Sequence, residues 1–332
     1  EETPRTVGLV KSEGMLTGAY NVFDLHDINE QYIYYYYESI DDRKALKPLY
    51  RGLRKTIPMP SFMSMPIYLP PIQEQRAIVS FLDTELGKID TYVDKEQQLI
   101  ERLKELKQSV ISRAVTRGIN PNVKMKPSGV NWVGEIPEHW KVKRLGSFFV
   151  ENRSVNSNLK STEAYKFNYG SLVRKDENAD IKEVEETYRK YTLINERDIV
   201  INGLNLNYDF VSQRVAQSYN KGIITSAYLV LTPREGVNDS FYCYLFKAMD
   251  NMKLFHSMGT GIRLTLSFRD LKSQQLPVPP LSEQRTIVDY ISSATSKIDK
   301  LISEKTKEME YMKELRQRII SDAVTGKIDV RE

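Results

Sequence analysis

Three asparagines fall within the run Asn202-Gly203-Leu204-Asn205-Leu206-Asn207-Tyr208, directly after a strand-like apolar stretch, Asp198-Ile199-Val200-Ile201. A carboxamide sets a donor beside an acceptor, the pattern that pairs bidentately with an adenine edge, and a loop leaving a strand can carry such groups into a groove. An ordinary Asn-Gly turn would use the same residues. A second set lies in Ser257-Met258-Gly259-Thr260-Gly261-Ile262-Arg263-Leu264-Thr265, where Ser257, Thr260 and Arg263 supply donors and the glycines let the backbone approach a phosphate. A tight turn with Arg263 in a surface ion pair accounts for this segment equally well. The run Arg51-Gly52-Leu53-Arg54-Lys55-Thr56 repeats its G-x-R-x-T spacing, with Arg54 and Lys55 as the cations.

The chemistry these side chains offer is that of binding; none forms a constellation that makes or breaks bonds. There is no G-x-x-x-x-G-K-[ST] phosphate loop, no dinucleotide loop and no Asn/Asp-Pro-Pro-aromatic tetrapeptide, and Gly259-Thr260-Gly261 lacks the strand-then-helix context of a Rossmann turn. Three scattered histidines (His26, His139, His256) and a single cysteine, Cys243, argue against a zinc site and against a disulfide framework. Cys243 is expected to be a buried structural thiol. The expectation is a non-catalytic chain without a cofactor of its own.

The elements that must position these loops are announced by a repeat. Pro70 to Ile119 aligns without a gap on Pro279 to Ile328, 209 positions later, with about 21 of 50 positions identical. Each copy opens with Pro-Pro and then a glutamate, Glu74 or Glu283, which are helix-start signals. Apolar residues follow three or four apart, Ile78, Leu82, Leu86, Ile89 and Val93 on to Leu103, Leu106 and Val110 in the first copy, and Ile287, Ile291, Ile298, Ile302 and Met309 to Leu315 and Ile319 in the second. Such narrow stripes need a partner helix, and the simplest partner is the other copy, antiparallel. An unbroken helix of roughly 45 residues would span about 65 Å. The duplication extends upstream: Gly52, Arg54 and Thr56 match Gly261, Arg263 and Thr265, and the aromatic run Tyr32 to Tyr37 matches Phe241 to Phe246. That shared pattern predicts one packed element in both copies.

The chain has 332 residues, 40% hydrophobic, with 48 Lys and Arg against 44 Asp and Glu, so the formal net charge is +4. This permits a nucleic-acid partner without demanding one; a basic footprint would have to be local. No stretch approaches the ~20 apolar residues of a membrane span, and the chain reads as soluble and cytoplasmic, with no membrane partner.

The doubled P-P-x-x-E-Q-R opening, the K-I-D that follows, the A-V-T tail and the run Gly129-Val130-Asn131-Trp132-Val133-Gly134-Glu135-Ile136-Pro137-Glu138-His139-Trp140 closely resemble the specificity (S) subunit of Type I restriction-modification systems. The resemblance implies an α+β fold in which two target-recognition domains, each reading half of a split site on double-stranded DNA, are joined by two long antiparallel coiled-coil helices in a pseudo-two-fold repeat. It implies that methyltransferase (modification) subunits dock on those helices, with Glu74, Gln75, Arg76, Glu283, Gln284 and Arg285 as the docking set, and that restriction subunits join them. S-adenosylmethionine, ATP and Mg would then belong to the partner subunits. A coiled-coil scaffold or adaptor with protein-binding domains is the alternative.

On this reading residues 1–69 are the back half of a first recognition domain, 70–120 the first helical spacer, 121–127 a linker, 128–280 a complete second recognition domain and 281–332 the second spacer. Glu1 falls opposite Asp209, so residues 128–208 have no counterpart. The expectation is an N-terminally truncated first domain, incompletely packed, with selectivity residing in 128–280.

Overall fold

The computed structural model describes residues 7–18, 20–52, 56–175 and 181–330. In chain order the elements are α1 (Glu30–Asp42), α2 (Met59–Met63), α3 (Ile72–Arg117), β1 (Met125–Pro127), β2 (Glu135–Pro137), β3 (Lys141–Arg144), β4 (Phe149–Glu151), β5 (Tyr165–Asn168) and β6 (Ser171–Arg174). Then come α4 (Ile181–Tyr188), β7 (Thr192–Ile194), β8 (Ile199–Ile201), β9 (Val215–Gln217), β10 (Gly222–Ile224) and β11 (Leu229–Pro233). The chain closes with α5 (Asp239–Asn251), α6 (Leu254–Met258), α7 (Phe268–Leu271), β12 (Gln275–Val278) and α8 (Leu281–Val324). This is the mixed helix-and-sheet class that the repeat and the resemblance predict. It divides into two compact units, Glu1–Arg102 with Leu301–Glu332, and Leu103–Lys300.

In the first unit α1 is capped by Asn29, whose side chain accepts from the Tyr32 amide at 2.9 Å and so satisfies one of the free N–H groups of the first turn. Its tyrosine run is core: Tyr32, Ile33, Tyr35 and Tyr36 are buried against Ile78, Leu82, Leu86 and Ile89 of α3 and Ile320, Ala323 and Val324 of α8. Burial pushes the Tyr32 and Tyr35 phenols up to about 12, and each keeps its hydrogen-bond donation, Tyr32 to the Tyr68 carbonyl and Tyr35 to Asp83. Tyr92 of α3 donates to Glu308 of α8 at 2.8 Å, while Glu96 pairs with Lys305 at 3.4 Å. The pairing numbers rise along one helix and fall along the other, so the two run antiparallel here.

In the second unit an antiparallel sheet, ordered β4-β11-β8-β9, carries α5 on one side. The period-2 geometry of a strand sorts β8: Ile199 and Ile201 enter the main core with α5, while Val200 joins Ile194, Ile224 and Val230 in a second cluster. That is why the run is apolar without alternation. The helices again pair antiparallel, Ile111, Ala114 and Val115 of α3 sharing a core with Ile287 and Ile291 of α8, and Lys107 meeting Asp299 at 2.6 Å. The stripe is not uniformly dry, however: Leu106, which the spacing assigns to it, is 50% exposed.

The duplication is legible atom by atom. Asn238 caps α5 on the Phe241 amide as Asn29 caps α1 on Tyr32. Lys44 and Lys253 follow those helices with φ of +56° and +59°. Backbone bridges recur at the matched positions, Arg51 with Thr56 and Thr260 with Thr265. Each unit is completed by the tail of the other repeat's helix, α8 in the first and α3 in the second.

Candidate nucleic-acid interface

The predicted donors of the second unit lie on two neighbouring segments, the β8–β9 loop and the stretch from α6 to residue 263. The loop from β8 to β9 is organised from below by Arg214, a guanidinium only 2% exposed. Its Nη1 donates to the carbonyls of Asn202 at 3.1 Å and Leu204 at 2.8 Å, and its Nη2 to that of Asp209 at 2.8 Å. Asp250, buried at the end of α5, accepts from the Arg214 amide at 2.7 Å and from the Gln213 side chain at 2.5 Å, and burial raises its pKa. Asp209 sits at the loop's turn, accepting from the Ser212 and Val211 amides; the backbone bond from Ser212 leads the causes that lower its pKa to about 2.

The hairpin 259–265 lies beside this loop. Leu206 donates to the Leu264 carbonyl at 3.1 Å, Leu266 to the Gly203 carbonyl at 2.9 Å, and the Asn207 amide to the Ile262 carbonyl at 3.4 Å. The approach requires Gly203, since a Cβ there would stand 2.8 Å from the Leu266 Cβ and 2.9 Å from its carbonyl oxygen. The turn between β5 and β6 touches the same loop, with Gly170 against Gln213. Phe210 stacks on His256 at 4.6 Å between ring centroids.

The candidates fare unequally. Thr260, Arg263 and Asn205 are exposed at this surface, Asn205 with a φ of +50°. Ser257 is exposed and hydrogen-bonded within its own turn to Leu254. Asn202 is turned inward, its side-chain oxygen accepting from the Leu204 amide, which is the turn role. Asn207 is half-buried and committed to the hairpin. Arg54 and Lys55 lie outside the described residues. Sequence reasoning missed Arg214 and the exposed Tyr208, Val211 and Ile262; the recurrence of an apolar residue between Gly and Arg in Gly52-Leu53-Arg54 and Gly261-Ile262-Arg263 was the available signal for the last.

The P-P-x-x-E-Q-R residues divide in the same way. Gln75 and Gln284 are buried, and each returns its amide to the carbonyl of the first proline, Pro70 at 2.8 Å and Pro279 at 2.9 Å. They fasten the start of each long helix, a structural role for these two members of the expected docking set. Glu283 accepts from Trp140 Nε1 at 3.0 Å and meets His139 Nε2 at 2.7 Å. Glu74 is half-buried, and Arg76 and Arg285 point outward. Cys243 is buried as expected, with burial pushing its thiol up to about 11. Among the described residues, no group of three or more His, Cys, Asp or Glu could hold a metal ion, and no helix is long and apolar enough to cross a membrane.

A family model described as the Type I restriction modification DNA specificity domain matches residues 11–105 and 137–311. The chain belongs to this family. The two matched segments of the specificity-domain family each take a globular part and most of the long helix that follows it. The chain is 26% identical over 273 residues, 80% of its length, to a putative type I restriction enzyme MjaX specificity subunit of Methanocaldococcus jannaschii. It is 25% identical over 292 residues to the type I restriction enzyme MjaVIII specificity subunit of the same organism. It spans 60% and 64% of the length of those two proteins. A solved structure described as the basis of complex assembly and conformational transition of the type I R-M system shares its fold, with a TM-score of 0.67 at 14% identity over 91% of this chain and 72% of the other.

Proposed function

We propose that this specificity-domain chain is the DNA-sequence-reading subunit of a Type I restriction-modification complex and directs methyltransferase and restriction subunits to a bipartite site. Residues 1–69 and 128–280 are the recognition domains, and residues 70–120 and 281–332 the helical spacers. The observation that carries the proposal is the family match in both halves of the chain, each matched half joining a globular part to its helix. The loop surface of the second unit supports it: Asn205, Thr260 and Arg263 stand exposed there, on a loop held by the Arg214 side chain and a turn closed by backbone hydrogen bonds. The helix starts, with Arg76 and Arg285 exposed, Glu74 and Glu283 half-buried, and Gln75 and Gln284 fastening the turn, form the docking set for methyltransferase subunits. S-adenosylmethionine, ATP and Mg belong to those partners, and the complex works in the cytoplasm on double-stranded DNA.

A gel shift on random duplex at rising salt tests the reading. A DNA reader loses affinity steeply, with log K falling linearly in log[salt] at a slope of about −0.9 per phosphate contact. A coiled-coil adaptor shows little affinity at any salt, and that result would replace the proposal.

A further inference from the structure

The hairpin between Thr260 and Thr265 ends in a side chain that the fold itself does not use. Ile262 is 96% exposed, and on the adjoining loop Val211 is 92% and Tyr208 75% exposed. A scattered surface isoleucine needs no explanation. This one is held in place. Thr260 and Thr265 exchange backbone hydrogen bonds of 3.1 and 2.9 Å, Leu264 donates to Gly261 at 3.1 Å, and Gly261 supplies the φ of +79° the turn requires. The Asn207 amide ties the neighbouring loop to the carbonyl of Ile262 itself. At sequence level the first repeat also sets an apolar residue, Leu53, between its glycine and arginine.

On duplex DNA an apolar side chain has few complements. Phosphates offer none; apolar surface is found on thymine methyl groups in the major groove, on sugars in the minor groove, and on base faces if a step is opened. The major groove, about 12 Å wide, takes even an α-helix or a two-stranded ribbon and so has room for this bridge-closed turn, whereas the minor groove is only about 6 Å wide. Arg263, the next residue and exposed, supplies charge for a phosphate or a guanine edge beside it.

We infer that Ile262 is a specificity-determining residue that packs on the 5-methyl group of a thymine in the major groove. The inference rests on the DNA-reading function proposed above. Its test uses the full chain. Affinity for random duplex is measured first, and selection from a random pool then gives the preferred site. Each thymine of that site is next replaced by deoxyuridine, which keeps the base pair and removes only the methyl.

One thymine is expected whose replacement weakens binding about fourfold, the size of one buried methyl contact. Ile262→Ser should weaken binding of the unmodified site by a similar factor, and the two changes together should cost no more than either alone. Ile262→Val should keep most of the preference. The inference is overturned by a site indifferent to deoxyuridine, by an Ile262→Ser variant of unchanged affinity, or by penalties that add in full. A chain with no affinity for any duplex removes the DNA-reading function as well. Selective binding in which Ile262 is silent removes this inference alone. Because Ile262 is solvent-exposed, the Ser variant should melt with the parent, which the same preparations will check.

Discussion

Arg316 of α8 and Glu38 of α1 lie 278 residues apart in sequence and 2.8 Å apart in the first unit, with the Glu38 side chain 2% exposed. A carboxylate this deep is costly to leave without its cation. Arg316→Met should therefore destabilise the first unit by about 3 kcal/mol, seen as a lowered denaturant midpoint. A midpoint within error of the parent would show that the pair contributes nothing.

The helix pairing makes unequal demands on two leucines that look alike in sequence. Leu315 is partly buried, packed against the core of the first unit, whereas Leu106 is half exposed. Leu315→Asp should cost several kcal/mol, about 3 or more, because it places a charge against apolar neighbours. Leu106→Asp should cost less than about 1 kcal/mol. Thermal melts of the two variants side by side decide the matter, and equal losses would contradict the burial described.

Arg214 joins three carbonyls of the β8–β9 loop, so its truncation frees the loop and strands those acceptors. Arg214→Ala should cost about 2 to 4 kcal/mol. It should also make chymotrypsin cut first at Tyr208 or Phe210, since a loop that loses these three hydrogen bonds opens locally. Mapping early cleavage products by mass checks this; a parent-like pattern would assign the loop's order to its other contacts.

Acid should act through Asp209. Its folded pKa of about 2 lies below the ordinary carboxylate value, so its contribution is present above pH 4 and is lost as pH falls towards 2. The side chain is 40% exposed, so solvent screening keeps the effect to less than about 1 kcal/mol. Asp209→Asn should flatten the fall in melting temperature between pH 4 and pH 2.5 by one or two degrees. An identical acid limb in parent and variant would remove Asp209 from the account.

The repeat, the two long helices, the tyrosine run as core and the buried thiol could all be read from residue order, because periodicity and duplication are properties of the sequence itself. Side-chain direction in loops is not. Asn202 and Asn205 are alike on paper, yet the turn draws the first inward to the Leu204 amide and leaves the second outside. Gln75 and Gln284 looked like surface groups of a docking motif, but the Pro-Pro bend places a carbonyl where each amide can reach it. Arg214 gave no signal at all, since a buried guanidinium is recognised only through the carbonyls that surround it, and those come from residues brought near by the strand pairing.

The division of the chain also sets an order of events during synthesis. Leu103–Lys300 is one continuous stretch, so its core can close while the ribosome is still adding residues. The other unit cannot do the same: Tyr32 shares its core with Ile320, Ala323 and Val324, some 290 residues later. Until residues 320–324 emerge, α1 and the first turns of α3 must wait with an apolar face exposed, the state in which nascent chains aggregate or recruit chaperones. Residues 301–330 thus latch a unit whose other part is made some two hundred residues earlier, and a chain cut short before residue 301 would leave Leu103–Lys300 able to fold and the partners of α1 missing.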